Sequence, residues 1–239
     1  MTGLSNISGG RHALVALLPM KAHSERVPGK NFRPFAGKPL FRWILDSLLS
    51  LPAIDLVVIN TDAGDILARN GLTDGPRVRI RDRKQELCGD MTSMNLILAD
   101  DIDAVGANTY VMTHTTNPLL RADTIQRALT QYAEQRGKGT ADSLFTVNRY
   151  QTRFYRADGS PVNHDPKNLV RTQDLEPWFE ENSNLYIFSR ESFHATNARI
   201  GLRPTLFVQP KDEALDIDTP EDWALAEHVV RALISAETP

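Results

Sequence analysis

The sequence predicts an α/β fold in which a mostly parallel sheet is flanked by helices. Short apolar runs rich in Val, Ile and Leu alternate with stretches of helical length, and such runs are typical of strands buried on both faces. This alternation indicates parallel strands joined by right-handed crossovers. Hydrophobic residues make up 41% of the 239 positions and charged residues 24%, which suits a single globular domain over residues 1–239.

Five apolar runs are predicted to form the strands of the first part of the sheet. They cover residues 13–20, 55–60, 77–80, 109–113 and 143–147. The stretches between them predict helices over residues 40–51, 64–70, 91–105 and 122–135. In the first of these helices, apolar residues from Leu40 to Leu51 recur at every third or fourth position, which gives one apolar face.

The alternation of strands and helices weakens after about residue 148. Residues 149–181 are polar and contain three prolines, which favours an inserted hairpin or extended excursion. This segment has too few apolar residues for a core of its own, so we expect it to decorate the single domain. The pattern returns with strands predicted over residues 184–188 and 205–209 and a helix over residues 220–234.

Composition excludes several classes of protein. The net charge is only −3, which argues against a nucleic-acid partner. The single cysteine, Cys88, rules out an internal disulfide and a zinc site built from cysteines. The longest apolar run, residues 13–20, is far shorter than the ~20 residues that cross a membrane. Lys21 follows it where a signal peptide would have a small-residue cleavage site, so we expect a cytoplasmic protein with no membrane partner.

Charge is distributed unevenly along the chain. Residues 21–42 hold six basic side chains and one acidic side chain, whereas residues 211–227 hold seven acidic side chains and one basic side chain. A basic loop and an acidic cluster suggest an anion site and a metal site. Two solvated faces remain the alternative interpretation.

The basic loop follows the first predicted strand, where α/β folds bind phosphate. The sequence contains neither G-x-x-x-x-G-K-[ST] nor G-x-G-x-x-G, which disfavours an ATPase-type loop and an ordinary dinucleotide site. The loop offers Lys21, Lys30, the Ser24 hydroxyl and backbone N–H groups to a polyphosphate. A merely exposed loop is the alternative.

Two carboxylates precede the last predicted helix. Asp216 and Asp218 lie two residues apart, so in extended backbone both side chains point to one side. A pair of this kind suits a hard cation such as Mg²⁺. Helix capping by Thr219 and Asp222 is the structural alternative, but it gives the two earlier aspartates no role.

Four motifs lie along the chain. The first is K-x-x-S-x-x-x-P-x-K-N over residues 21–31, followed by G-K-P-L over residues 37–40. The others are R-x-x-E-L-x-x-D, T-N-P-L and D-x-D-T-x-x-D, over residues 83–90, 116–119 and 216–222. In this order they resemble the motifs of the acylneuraminate cytidylyltransferase family. The resemblance spans residues 13–232 and identifies a family rather than a substrate.

The resemblance implies a Rossmann-like nucleotidyltransferase fold and a reaction. CMP would pass from CTP to the anomeric hydroxyl of a sialic-acid-like 3-deoxy-2-ulosonic acid, with release of pyrophosphate. The residues that would bind the nucleotide are Lys21, Ser24, Lys30, Asn31 and Arg83. Asp216 and Asp218 would hold Mg²⁺, and Lys30 and Asp218 would be catalytic, with Asp218 or a metal-bound water accepting the hydroxyl proton.

The resemblance also implies a sugar side and a dimer. N-S-N-L-Y over residues 182–186 is similar to a family motif in which Gly replaces Ser183. The residues that would contact the sugar acid are His114, Arg171, Gln173, Asn182 and Tyr186. The excursion over residues 149–181 resembles the segment that forms family homodimers. A strand-core Tyr186 and a surface Arg171 remain the alternatives.

Three positions depart from the family pattern. Glu25 stands where the family has a basic residue, Lys21 where sialate enzymes usually have Arg, and His114 where Gln is common. The last change introduces an imidazole, which titrates near pH 6.5. These departures leave open another acceptor or another NTP, or a nucleotide-binding homologue without catalysis.

Overall fold

A central sheet organises the fold. The structure is a computed structural model that describes residues 12–237, and within that range the sheet has seven strands. Its members are β1 (His12–Leu17), β4 (Leu56–Thr61), β5 (Val78–Asp82), β6 (Ala107–Thr113), β7 (Ser143–Tyr150), β8 (Trp178–Ser189) and β9 (Pro204–Val208). Two short strands, β2 (Pro34–Phe35) and β3 (Lys38–Pro39), form a separate hairpin.

The strand order is β5-β4-β1-β6-β8-β7-β9. The pairs β4–β5, β1–β4, β1–β6 and β7–β9 are parallel, whereas β8 is antiparallel to both of its neighbours. The predicted α/β class with a mostly parallel sheet is therefore confirmed. In such sheets ligands bind at the carboxyl ends of the strands, where the strand order reverses, and here that point lies beside β1.

Six α-helices flank the sheet in the described residues 12–237. They are α1 (Leu40–Leu49), α2 (Gly64–Arg69), α3 (Met94–Ala104), α4 (Ala122–Gly137), α5 (Arg190–Thr196) and α6 (Pro220–Glu237). The start of the predicted helix over residues 91–105 was wrong by three residues, because the backbone is non-helical as far as Ser93. The short helix α5 was not predicted; it begins with a capping box formed by Ser189 and Ser192.

Two hydrophobic clusters cover the two faces of the sheet. Alternate residues at β1 contribute to them, Leu14 and Ala16 to the first and Val15 and Leu17 to the second. The first cluster packs against α1 and α4, and the second against α3 and α5. Each large aliphatic side chain that is fully buried stabilises the fold by about 1.5–3 kcal/mol. This packing fixes the positions at which the strands end.

The excursion predicted over residues 149–181 connects two long antiparallel strands. The pairing of β7 with β8 continues out to Tyr150 opposite Trp178, with a register shift between Phe145 and Val147. Phe154 stacks on Trp178, with ring centroids 5.4 Å apart. Large hydrophobic side chains remain exposed in this segment. Its role in forming a dimer stays a prediction. No helix in the described part of the chain has the length and apolar character needed to cross a bilayer.

Candidate active site

A cleft of about 410 Å³ opens at the carboxyl ends of β1, β5 and β6. It is lined by seven residues that the sequence predicted or noted there: Lys21, Ser24, Lys30, Asn31, Arg83, His114 and Asp218. A larger groove, of about 800 Å³, lies against α4 near the amino ends of β1 and β6. That groove contains none of the predicted site residues, so the smaller, more polar cleft is the candidate active site.

Asn31 holds the basic loop in place. Its side chain is buried; its amide nitrogen donates to the Lys21 carbonyl at 2.8 Å, and its amide oxygen accepts from the Thr115 hydroxyl at 2.5 Å. The Asn31 carbonyl also accepts from the backbone N–H of Phe41. The side chain thus ties the loop to the segment after β6. Its predicted contact with cytosine stays a prediction.

Lys30 joins the basic loop to the acidic segment. Its side chain is only 10% exposed, and its ammonium group donates to the Ile217 carbonyl at 2.6 Å and lies 3.4 Å from the Asp218 carboxylate. Arg26 contacts the same carboxylate at 3.1 Å. Because these contacts cross more than 180 positions of sequence, the two charged segments are one site and not two separate solvated faces.

The carboxylate pair lies on a pinned, non-helical segment. Ile217, between the two aspartates, is fully buried, and its N–H donates to the Thr116 carbonyl at 2.9 Å. Burial raises the pKa of Asp216, and the nearby charge of Asp218 adds to the rise, while a hydrogen bond with Thr116 opposes it. Asn117 lies 3.4 Å from the Asp216 carboxylate. The energetic cost of holding two carboxylates together here would be relieved by a cation.

The capping alternative accounts for other residues of the same segment. The Asp222 carboxylate accepts from the backbone N–H of Thr219 at 2.8 Å, and the Thr219 hydroxyl accepts from the N–H of Asp222 at 3.2 Å. This exchange begins α6 and uses neither Asp216 nor the carboxylate of Asp218. In residues 12–237 no third His, Cys, Asp or Glu completes a metal cluster with the pair. Two carboxylates suffice for Mg²⁺ that also binds substrate phosphates.

Lys21 is held at the rim of the cleft by an acid. Its ammonium group pairs with Asp90, and this contact lowers the pKa of the Asp90 carboxyl. Glu25 also lies within hydrogen-bonding reach of Asp90. Lys21 and Asp90 are both well exposed, so their ion pair is weak in water and can exchange partners. The charge of Lys21 is therefore available to an incoming phosphate at modest cost.

Arg83 lies beneath the cleft in a polar network. Its guanidinium donates to the Asn60 side-chain oxygen at 3.0 Å and to the carbonyls of Asn60 and Met20 at 2.9 and 3.1 Å. The Asn60 amide nitrogen donates in turn to the buried carboxylate of Asp101 at 2.9 Å. Arg81 forms an ion pair with the same carboxylate. Burial lowers the pKa of Arg83.

His114 is a neutral group in this environment. Burial lowers its pKa to about 3, and the positive charges of Arg199 and Lys30 add to the effect. The expectation that this imidazole titrates near pH 6.5 was therefore wrong, because desolvation and nearby cations penalise the protonated form. At neutral pH, His114 offers one N–H donor and one nitrogen acceptor at the wall of the cleft.

The motif over residues 182–186 contains buried side chains and one residue with a left-handed backbone conformation. Asn182 is buried and bonded to the side chains of Thr146 and Gln209, at 2.7 and 2.9 Å. Ser183 has φ 56°, a left-handed conformation that favours glycine, the residue expected at this position from the family motif. Tyr186 is fully buried as a strand residue, and its hydroxyl donates to the Glu181 carboxylate.

Most of the chain matches one protein family. The model of the cytidylyltransferase family matches residues 15–237. The chain belongs to the cytidylyltransferase family. The match spans all four motifs of the resemblance, which is thereby confirmed.

Curated relatives resemble this cytidylyltransferase over most of its length. It is 28% identical over 231 residues to N-acylneuraminate cytidylyltransferase of Oncorhynchus mykiss, covering 93% of this chain and 51% of that protein. It is 27% identical over 241 residues to CMP-N,N'-diacetyllegionaminic acid synthase of Legionella pneumophila, covering 91% of this chain and 96% of that protein. It is 25% identical over 224 residues to pseudaminic acid cytidylyltransferase of Campylobacter jejuni, covering 89% of this chain and 94% of that protein. The chain thus spans about half the length of the fish protein and nearly all of the bacterial ones.

Solved structures share the fold of this cytidylyltransferase. CMP:2-keto-3-deoxy-manno-octonic acid synthetase, in complex with CTP, superposes with a TM-score of 0.62 at 17% identity, over 94% of this chain and 99% of that one. 4-Diphosphocytidyl-2C-methyl-D-erythritol synthase from Anaerococcus prevotii superposes with a TM-score of 0.64 at 10% identity, over 92% of this chain and 96% of that one. At these identities the likeness establishes the nucleotidyltransferase fold alone.

The cleft is lined by the predicted nucleotide-binding residues but, of the predicted sugar-binding residues, only by His114. Arg171 is exposed and pairs with Asp174 at 2.7 Å on the excursion. Gln173 lies beside it, and its carbonyl accepts from Gln151. Neither lines the cleft of the described chain, so their contact with a sugar stays a prediction.

Sequence reasoning missed three polar residues near the cleft. Asn60 and Asp101 support Arg83, and Arg199 lies over Tyr186 with its guanidinium carbon 3.8 Å from the ring centroid. Asn60 lies near the end of β4, after four apolar residues, and Asp101 lies on the buried face of α3. Polar residues at such positions are the signal that would have found the first two. Arg199 lies in a loop with no periodic pattern, and no sequence signal marks it.

Proposed function

We propose that this protein transfers CMP from CTP to the anomeric hydroxyl of a sialic-acid-like 3-deoxy-2-ulosonic acid, with Mg²⁺, and releases pyrophosphate. The observation that carries the proposal is the meeting of Lys30 and Arg26 on the Asp218 carboxylate at the cleft. These contacts support a site in which the cations would bind phosphate beside one carboxylate of the proposed metal-binding pair. Family membership and the activities named for the bacterial and fish relatives support the same reaction.

The carboxylate pair fits Mg²⁺, although only Asp218 of the two lines the cleft. Asp216 and Asp218 supply hard carboxylate oxygens; burial raises the pKa of Asp216, and the nearby charge of Asp218 adds to the rise. We propose that these two residues hold the ion. When bound, it would neutralise phosphate charge as the leaving group departs.

The protein's own residues would position the triphosphate. Lys30 and Arg26 lie within 3.4 Å of the Asp218 carboxylate, and phosphate oxygens would replace this carboxylate as their partner. Ser24 and Lys21 lie on the same loop at the rim. The Asp218 carboxylate, which would hold the ion through one oxygen, would accept the proton of the attacking hydroxyl through the other. Fixed cations that face the leaving group act mainly on the transition state.

The proposal is tested by measuring pyrophosphate release with CTP, Mg²⁺ and a panel of 3-deoxy-2-ulosonic acids, with ATP, GTP and UTP as controls. Asp216→Asn and Asp218→Asn should each reduce the rate on the order of 100-fold or more. Asp212→Asn is the matched control, because Asp212 lies in the same acidic segment but pairs with Arg121 outside the cleft.

Three outcomes would contradict the proposal. Absence of CTP binding would exclude a cytidylyltransferase activity. Release with another NTP alone would indicate a different nucleotide donor. CTP binding without turnover for any acid would indicate another acceptor or a nucleotide-binding homologue without catalysis.

A further inference from the structure

Arg199 is a cation fixed over the sheet beside the cleft. Its side chain is 20% exposed, and its guanidinium carbon lies 3.8 Å from the centroid of the Tyr186 ring. The Arg199 backbone N–H donates to the Asn95 side chain of α3 at 3.3 Å. The neighbouring Ile200 packs against the core cluster on this face of the sheet. Backbone and side chain are therefore both held in place.

The strand register brings Arg199 close to His114, which lines the cleft. Met112 of β6 pairs with Tyr186 of β8, and Arg199 contacts both, with its Nη1 atom 3.9 Å from the Met112 sulfur. His114 follows Met112 by two residues, so it lies on the same side of extended backbone. His114 also lines the cleft next to Thr116 and Asp218. The Nη1 side of Arg199 thus faces the carboxyl end of β6.

The hydrogen-bonding capacity of Arg199 is largely unused in the described residues. Its Nη2 atom lies 3.6 Å from the Glu181 carboxylate, which is too long for a hydrogen bond. Its contact with Met112 is to a weak thioether acceptor. A guanidinium has five N–H donors in a planar fork that matches a carboxylate. The charge of Arg199 is also felt at His114, where it helps to lower the pKa.

We propose that Arg199 binds the carboxylate of the acid acceptor and selects acceptors that carry this charge. The inference rests on the proposed function, because it names the group that recognises the acid. Tyr186 would act as the platform under the guanidinium, and Glu181 would hold the Nη2 side away from the cleft. Arg171, the arginine predicted from sequence for this role, pairs with Asp174 on the excursion.

The test measures acceptor KM and kcat at saturating CTP for a 3-deoxy-2-ulosonic acid and for its uncharged carboxamide. Wild type should prefer the acid, and Arg199→Gln should raise the KM for the acid about 10- to 100-fold, since it removes hydrogen bonds to a charged group. The KM for the carboxamide and the KM for CTP should change less than about twofold. Arg199→Lys should restore part of the preference, because it keeps the charge without the fork.

Arg171→Gln is the competing variant, and thermal unfolding confirms that each variant is folded. Loss of the acid preference in Arg171→Gln but not in Arg199→Gln would overturn the inference. An equal loss for acid and carboxamide in Arg199→Gln would also overturn it, because that result indicates a structural role for Arg199. If wild type uses none of the acids, the proposed function is overturned as well. If Arg199→Gln still prefers the acid over the carboxamide, only the inference about Arg199 is overturned.

Discussion

Lys30 controls the charge balance of the cleft at the scale of a single residue. Its ammonium group is buried between the Ile217 carbonyl and the Asp218 carboxylate, and it would face the triphosphate once CTP binds. Lys30→Met should therefore lower the rate of pyrophosphate release about 10²- to 10³-fold, as removal of one preorganised transition-state contact does in other enzymes. Steady-state kinetics with CTP and the acid acceptor measure this effect.

Lys38→Met is the control for that variant. Lys38 belongs to the same basic segment, but it pairs with Asp46 on α1 and does not line the cleft. Its substitution should leave the rate within about twofold of wild type. Similar losses in both variants would show that general positive charge, and not the position of Lys30, supports the reaction.

His114 makes the stability of the folded protein sensitive to acid. Burial and the charges of Arg199 and Lys30 lower its pKa to about 3, while Asp218 opposes this shift, so the folded state favours the neutral imidazole. The contribution of neutral His114 to the free energy of unfolding is complete above pH 6.5, the pKa of this imidazole in the unfolded chain. It is lost as the pH falls toward 3, because the unfolded chain then binds a proton that the folded chain does not. His114→Gln should flatten the decline of Tm over this range.

The Tm of His114→Gln is compared with that of His228→Gln across the same pH range. His228 is exposed on α6 and contacts only the Ala224 carbonyl among its described hydrogen bonds. We expect its substitution to leave the slope of Tm against pH unchanged. Parallel slopes for wild type and His114→Gln would contradict the assignment of acid sensitivity to His114.

At the scale of elements, a polar contact between β4 and α3 positions Arg83. Burial raises the pKa of Asp101 to about 6, so its carboxylate is ionised at neutral pH and accepts from the Asn60 amide nitrogen. The Asn60 oxygen is thereby turned toward Arg83. Asp101→Asn removes this constraint, because an amide both donates and accepts. We expect the KM for CTP to rise about 3- to 10-fold with little change in kcat.

Asp100→Asn is the matched control for Asp101→Asn. Asp100 is also paired with Arg81, but it has no described contact with Asn60. Initial rates over a range of CTP concentrations separate the two variants. Equal increases in KM would show that Arg81, rather than the orientation of Asn60, supports the site.

At the scale of the whole molecule, the exposed aromatic surface of the excursion predicts a homodimer. Trp178 and Phe179 are 39% and 44% exposed at the start of β8, on opposite faces of the strand, and exposed apolar surface on a folded chain often marks an interface. Phe179→Glu should shift the protein from dimer to monomer, because a charge at the centre of an apolar interface is costly to bury. Light scattering coupled to size exclusion measures the mass.

Leu225→Glu is the control for the oligomeric state. Leu225 is 53% exposed on α6, which is a different element from the excursion, and its substitution should leave the mass unchanged. A wild-type monomer would contradict the prediction that residues 149–181 form a dimer. Dissociation by Leu225→Glu alone would place the interface on α6.

The sequence predicted the sheet better than the loops for a physical reason. Strands such as β4 are buried on both faces, and their apolar runs are visible in the sequence whatever packs against them. The start of α3 was missed because the backbone before Met94 belongs to the loop that lines the cleft. The helix α5 was missed because seven residues are too few to show a helical period.

By itself, the sequence determined the fold class and the family and predicted residues that line one cleft, because local periodicity and spaced motifs carry that information. Only the tertiary structure decided that Lys30 and Arg26 share Asp218, that His114 is neutral, and that Arg199 lies over Tyr186. These facts depend on burial and on contacts between residues far apart in the chain. A linear pattern of residues does not encode such distances or the desolvation that shifts a pKa.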